Sequence, residues 1–174
     1  MVKVHSKTGS EAHLVTADDW ANADAYHQSP NDERGNLFPP ENHPPDGGRV
    51  EDPSEPWRDH RGNWHVLFHA ESPSGKPWMR SGGHACSIDG RRWTYTGTAF
   101  NTTVHWTDGT STVLKRRERP HVIMADATRP HTPTHLSSGV EWGPNDQCFT
   151  LIQPIAQEAS GITRGPEHEQ RSSD

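Results

Sequence analysis

Apolar and polar positions alternate with a period of two along the middle of the chain, and no helical period is sustained for ten residues. The clearest stretch is Trp64-His-Val-Leu-Phe-His-Ala70. Trp64, Val66 and Phe68 fall on one face of the strand it predicts, and His65, Leu67 and His69 on the other. It follows the turn Asp59-His-Arg-Gly-Asn63. A hairpin is predicted next, from Gly83-His-Ala-Cys-Ser87 and Arg92-Trp-Thr-Tyr-Thr96 around Asp89-Gly90. Asp-Gly between two β-prone runs supplies the left-handed backbone that a tight turn needs. Thr103 to Thr107, Asp108-Gly109 and Thr110 to Leu114 repeat the theme. Val122 to Ala125, His135 to Val140 and Phe149 to Ile152 add three more strands. Short strands at intervals of roughly 8–12 residues predict an all-β sandwich, barrel or propeller.

The flanks read differently. Residues 1–48 are poor in aliphatics, and only Ala12 to Trp20 has an apolar run able to pair as a strand. Gly35 to Gly48 holds four prolines and is expected to be a loop, since proline lacks the N–H a central strand donates. We therefore expect a loop-rich N-terminal segment over 1–48, sheets over 49–156 and a polar, disordered tail over 157–174.

Composition narrows this picture. Only 29% of the 174 residues are apolar, so few aliphatics are available for a core. Seven tryptophans are the expected substitutes. Cys86 and Cys148 have no metal-type spacing and are expected to be two buried free thiols. A net charge of -6 without a basic block argues against a nucleic-acid partner. No apolar stretch approaches the roughly 18 residues that span a bilayer, so no membrane partner is expected. The N-terminus lacks the apolar core of a secretory leader, and the compartment stays open.

Three segments carry a resemblance. Val50-Glu-Asp-Pro53 with Trp57-Arg-Asp-His-Arg-Gly-Asn-Trp-His65 resembles the strand-opening Asp-Pro and hairpin of the five-bladed propeller glycosidases. Ser87-Ile-Asp-Gly-Arg-Arg-Trp93 resembles their recurring blade hairpin. Arg117-Glu-Arg-Pro-His-Val122 resembles the segment that carries the acid in glycoside hydrolase family 43, and the order of the motifs is the family's order. The resemblance covers residues 48 to 155 and implies a partial five-bladed β-propeller of about two to three blades, truncated relative to the full fold. It implies hydrolysis of a glycosidic bond, with a carbohydrate as partner and no cofactor.

Such chemistry needs an acid to protonate the leaving oxygen and a carboxylate to activate water or attack the sugar. The resemblance makes Glu118 the acid and Asp52 the residue that tunes it. To hold its proton, Glu118 needs burial or a nearby negative charge. Arg116, Arg117 and Arg119 flank it, although on a regular strand Arg117 and Arg119 point away from its face. His84, His121, Trp57 and Arg119 stand beside the motifs as candidates to line a sugar cleft. The family's base lies upstream, where Asp18, Asp19, Asp24 and Asp32 sit in no base motif. Plainer readings stand beside these. Glu51-Asp52-Pro53 can simply start a strand, and Glu118 can belong to an ion-pair network. Thirteen histidines are spread without zinc spacing, so no metal site is expected. Trp93 is expected to pack structurally, and Ser87 to stabilise its turn rather than act as a nucleophile. A non-catalytic sugar-binding propeller and an inactive fragment are the alternative functions.

Overall fold

The computed structural model describes residues 2–6, 9–28, 37–38, 49–71, 81–126, 128 and 131–155. Among the described residues the chain is all-β apart from a single 3-10 turn, Ala23–Ala25. Strands β1 (Val2–Ser6) and β2 (Gly9–His13) form one hairpin, and β3 (Val15–Ala17) and β4 (Tyr26–Gln28) another. Next come β5 (Arg49–Glu51), β6 (Trp57–Arg58), β7 (Trp64–Glu71), β8 (Ser81–Ser87) and β9 (Thr94–Phe100). They make a five-stranded sheet in which both β5 and β6 pair with β7, followed by β8 and β9. A small hairpin, β10 (Thr103–His105) with β11 (Ser111–Val113), leads to a three-stranded meander of β12 (Arg116–Met124), β13 (Pro133–Trp142) and β14 (Gln147–Pro154). All described pairings are antiparallel and none of the sheets closes on itself.

The expected alternation on β7 is what separates the cores. Val66 and Phe68 are buried with Val50, Ala85, Trp93, Ala12, Leu14, Leu37 and Phe38. Leu67 looks the other way, into a cluster with Phe100, Val122 and Leu136. A third cluster, Val104, Leu114, Val140 and Leu151, lies under the small hairpin. Two adjacent glycines on β8 make room for two aromatic rings on opposite faces of the sheet. A Cβ on Gly82 would lie 1.8 Å from the Phe100 ring, and one on Gly83 would lie 2.3 Å from Phe68. The turn Ser87–Trp93 is built as expected: the Ser87 hydroxyl donates to Asp89 Oδ1 at 3.0 Å and accepts from Gly90 N at 2.9 Å. Asp89 also accepts from the Arg92 and Arg91 amides, and these bonds hold its carboxyl down at about 2.

Several expectations need correction. The described residues of the N-terminal segment carry four strands, and its Leu37 and Phe38 are buried beside Val50, so residues on both sides of position 48 share one core. Leu37 donates its amide to Ala12 O at 2.8 Å, which anchors this apolar pair. The rest of the proline-rich loop and the tail from 156 on lie outside the described residues, as does Trp78. Of the described tryptophans only Trp93 is fully buried, whereas Trp20, Trp106 and Trp142 are exposed. Aliphatic side chains and three phenylalanines, Phe38, Phe68 and Phe100, fill the space instead, and a glycine-rich β8 makes room for two of the rings. Cys86 and Cys148 are free, but Cys86 is only partly buried and Cys148 is exposed. Arg117 and Arg119 do not share a face: Arg117 is buried and Arg119 is exposed, because a bulge between Glu118 and His121 interrupts β12 at Arg119 itself.

Replacing Gly83 by alanine should destabilise the fold by about 2 kcal/mol, because Phe68 has no room to retreat from a new methyl group. Chemical denaturation of the two proteins should show a lower midpoint with unchanged slope. An unchanged midpoint would mean that the ring is not held against the strand.

Candidate functional site

The site forms where two strands are interrupted opposite each other. β5 stops at Glu51, and Asp52 takes a left-handed backbone with φ 45°. Pro53 then cannot donate to a ladder. Ser54 pins the excursion to β7: its amide donates to Leu67 O at 2.7 Å, and its hydroxyl accepts from Leu67 N at 3.1 Å. Pairing resumes at Trp57. On β12 the pairing with β13 shifts between Glu118 and His121. Arg119 is left-handed there, with φ 53°, and Pro120 follows. A non-glycine residue in this region is strained by roughly 1–2 kcal/mol, and among the described residues Asp146 is the third such case.

The two interruptions are tied by charge. Arg119 Nε lies 3.8 Å from Asp52 Oδ2, and His121 Nδ1 lies 2.7 Å from Glu55 Oε2. Between them opens a cavity of about 570 Å³, walled by Asp52, Ser54, Glu55, Arg119 and His121 together with three prolines. Asp52, Arg119 and His121 are therefore brought together as candidates. Glu118 is not in that wall. Its carboxylate lies 3.5 Å from Arg116 Nη1, and Arg116 Nε lies 3.4 Å from Glu141, so Glu118 is one corner of a three-residue ion network. Trp57 and His84 line a second cavity of about 340 Å³, whose walls include Leu67, Val122 and Leu136. One face of Trp57 is already covered, because its ring stacks on His65 at 5.4 Å.

The second cavity borders a chain of polar side chains that the sequence did not disclose. His65 Nδ1 lies 3.0 Å from His84 Nε2, and His84 Nδ1 is hydrogen-bonded to Thr96 Oγ1 at 2.5 Å. At the other end His65 Nε2 lies 3.3 Å from Asp59 Oδ2. The carboxylate fixes the direction of the chain, since a lone pair facing it would be repelled. With the His65 Nε2–H toward the carboxylate, His65 Nδ1 accepts from His84 Nε2, and the Thr96 hydroxyl, which donates to the His84 carbonyl at 3.1 Å, sits against His84 Nδ1. Against a desolvation penalty, hydrogen bonds from Asn63 and Arg61 and the contact with His65 hold the Asp59 carboxyl well below its ordinary range. Burial, and then the neighbouring His65, push the His84 imidazole down to about 4. The signal for this chain was the His65/Leu67 face itself, but cross-strand register decides which histidine it meets.

A third grouping lies just below the first cavity. Glu51 and His69 are directly opposed on β5 and β7, and with Asp52 they place ligand atoms within 4.8 Å of one another. His69 is 1% exposed, and neither ring nitrogen has a hydrogen-bond partner. An unpaired buried polar atom costs on the order of 1–3 kcal/mol, so this arrangement asks for a partner. Comparison with known protein families, curated proteins and solved structures found no match to this chain.

Between its ordinary value of 6.5 and about 4, His84 binds a proton in the unfolded chain but not in the folded one. Stability should therefore fall as pH drops through that window, by about 2 kcal/mol after allowance for solvent screening at a partly exposed ring. Melting temperatures from pH 7 to 4 for the wild type and His84→Gln should diverge, with the variant losing the slope. Parallel curves would mean that His84 takes up its proton alike in the folded and unfolded chain.

Proposed function

We propose that this chain is a carbohydrate-recognising member of the five-bladed propeller glycosidases, with the cavity between Asp52, Arg119 and His121 as its sugar site. One observation carries the reading. The two segments that resemble the family's Asp-Pro and Glu-x-Pro motifs are far apart in sequence, yet their interruptions face each other across one cavity. Both are held in a left-handed backbone, and strain of that kind collects at functional sites. The successive antiparallel meanders support a blade-like organisation.

The chemistry suits a sugar. A carboxylate accepts from one hydroxyl while a guanidinium donates to its neighbour, and His121 can do either. Recognition is favoured over hydrolysis for two reasons. Glu118 is engaged by Arg116 and stands outside the cavity wall. Asp18, Asp19 and Asp24, the described candidates for an upstream base, are exposed on the N-terminal hairpin and its turn. Asp19 there accepts from the Ala21 amide at 3.0 Å, an ordinary turn contact. Hydrolysis with Glu118 as the acid and Asp52 as its modulator is the second reading, favoured by the fact that Glu118 adjoins Arg119 on the segment that lines the cavity.

A glycan array followed by calorimetry on the best ligand tests both readings. Asp52→Asn should weaken binding roughly 10- to 100-fold, as expected for loss of a charged hydrogen-bond partner. Glu118→Gln should bind normally. Equal affinity of Asp52→Asn and wild type would remove the cavity from consideration. Reducing sugar released by wild type but not by Glu118→Gln would establish the hydrolytic reading instead.

A further inference from the structure

We propose that Glu51, Asp52 and His69 form a binding site for a divalent first-row transition-metal ion at the junction of β5 and β7. Two of the three ligands are placed by register. Glu51 and His69 are opposed Cα partners in an antiparallel pair, so their side chains leave the sheet on the same side. Asp52 would point to the other side if the strand continued. Its left-handed backbone ends the strand and turns the carboxylate toward the pair, so that all three ligand atoms lie within 4.8 Å of one another.

The imidazole supplies the independent observation. His69 is almost wholly buried in the five-stranded sheet and both of its nitrogens lack a hydrogen-bond partner. A buried imidazole whose nitrogens have no hydrogen-bond partner, set against two carboxylates, is a set of metal ligands rather than a packing group. One nitrogen with two carboxylate oxygens suits Zn²⁺ or Mn²⁺; Ca²⁺ prefers six to eight oxygens, and Cu⁺ prefers sulfur. Ligand atoms at roughly 2.1 Å from a common tetrahedral ion lie roughly 3.4 Å apart, so side-chain shifts of about 1 Å would close this trio onto an ion.

Access runs through the cavity, since Asp52 belongs both to its wall and to the trio. Arg119 is the natural competitor. It lies 3.8 Å from Asp52 but is 75% exposed, so it can swing into solvent when an ion takes up the carboxylate. Removal of Arg119 should therefore strengthen ion binding. The site shares Asp52 with the sugar reading but does not rest on it, because Glu51 and His69 are not in the cavity wall.

The test uses the full chain, stripped with chelator, and the ions alone. Titration with Mn²⁺, followed by loss of the free aqua-ion signal in electron paramagnetic resonance, should show one site per chain that Zn²⁺ displaces. The melting temperature should rise by roughly 5–10 °C at about 100 times Kd. Glu51→Gln should weaken Mn²⁺ binding at least tenfold, and Arg119→Gln should tighten it roughly two- to fivefold. His69→Gln should abolish it, and if that variant fails to fold, Glu51→Gln at a half-buried strand position carries the test. No stoichiometric Mn²⁺ binding, or binding undiminished in Glu51→Gln, would overturn the proposal. Surface pairs such as Glu55 with His121 would then account for any ion taken up. Glycan binding is no part of this readout, so failure of the sugar reading leaves the result interpretable.

Discussion

The buried guanidinium of Arg117 is the interaction on which the C-terminal half of the structure depends. Arg117 is 2% exposed, and its donors go to neutral acceptors on separate elements. Nε donates to Ser138 on β13 at 3.2 Å, Nη2 to Gln153 on β14 at 2.9 Å, and Nη1 to the Asn101 carbonyl at 3.3 Å. Its plane lies over the Phe100 ring at 4.8 Å. A buried cation is tolerated only when nearly every donor is satisfied, so these elements are fixed relative to one another by the fork of a single side chain. Burial lowers the guanidinium pKa, yet an arginine remains charged in a protein. With Arg117 turned inward, Glu118 must face outward. The path of β12 toward the site follows from that.

The interruptions in β5 and β12 then do what a regular strand cannot. A continuous β12 would hold Arg119 on the same face as Arg117, inside the sheet. The register shift releases it, and a proline after each left-handed residue prevents the strand from re-forming at that point. Two charge contacts, Arg119 with Asp52 and His121 with Glu55, align the two excursions in parallel. Both involve exposed groups and contribute little to stability. The site is therefore held by backbone geometry and by Ser54 on β7, and the ion pairs set its chemistry more than its shape.

How far the sequence disclosed this follows from the range of each determinant. The Ser87–Trp93 turn and the two faces of β7 are decided within a few residues, and the structure has both as expected. In the N-terminal segment the apolar run Ala12 to Trp20 predicts a strand, and β3 lies within it, but β1 and β4 are too short and polar to carry a period-two signal. Leu37 and Phe38 lie in a bend, as the neighbouring prolines predict, but their burial is not visible in the sequence. The resemblance sets Asp52, Arg119 and His121 beside its motifs, but that they meet at one cavity is not legible in the sequence. The bulge that places them, the displacement of Glu118 into a network with Arg116, and the approach of His65 to His84 are tertiary facts. A period-two argument cannot reach them, because each depends on which strand lies alongside and with what offset.

Asp52 is where these constraints meet. Glu51, Asp52 and Glu55 place three acidic groups on one short stretch, where Arg119 meets Asp52 and His121 meets Glu55. Asp52, which belongs to both the cavity wall and the trio, is a shared resource. While Arg119 holds it, the guanidinium is engaged and offers fewer donors to a ligand in the cavity. If an ion at Glu51 and His69 takes up the same carboxylate, Arg119 is released and its donors become available to a ligand hydroxyl. Ion and ligand would then favour each other without touching. By linkage the effect must be equal in both directions, so a sugar that engages Arg119 would tighten the hold of the trio on its ion by the same factor.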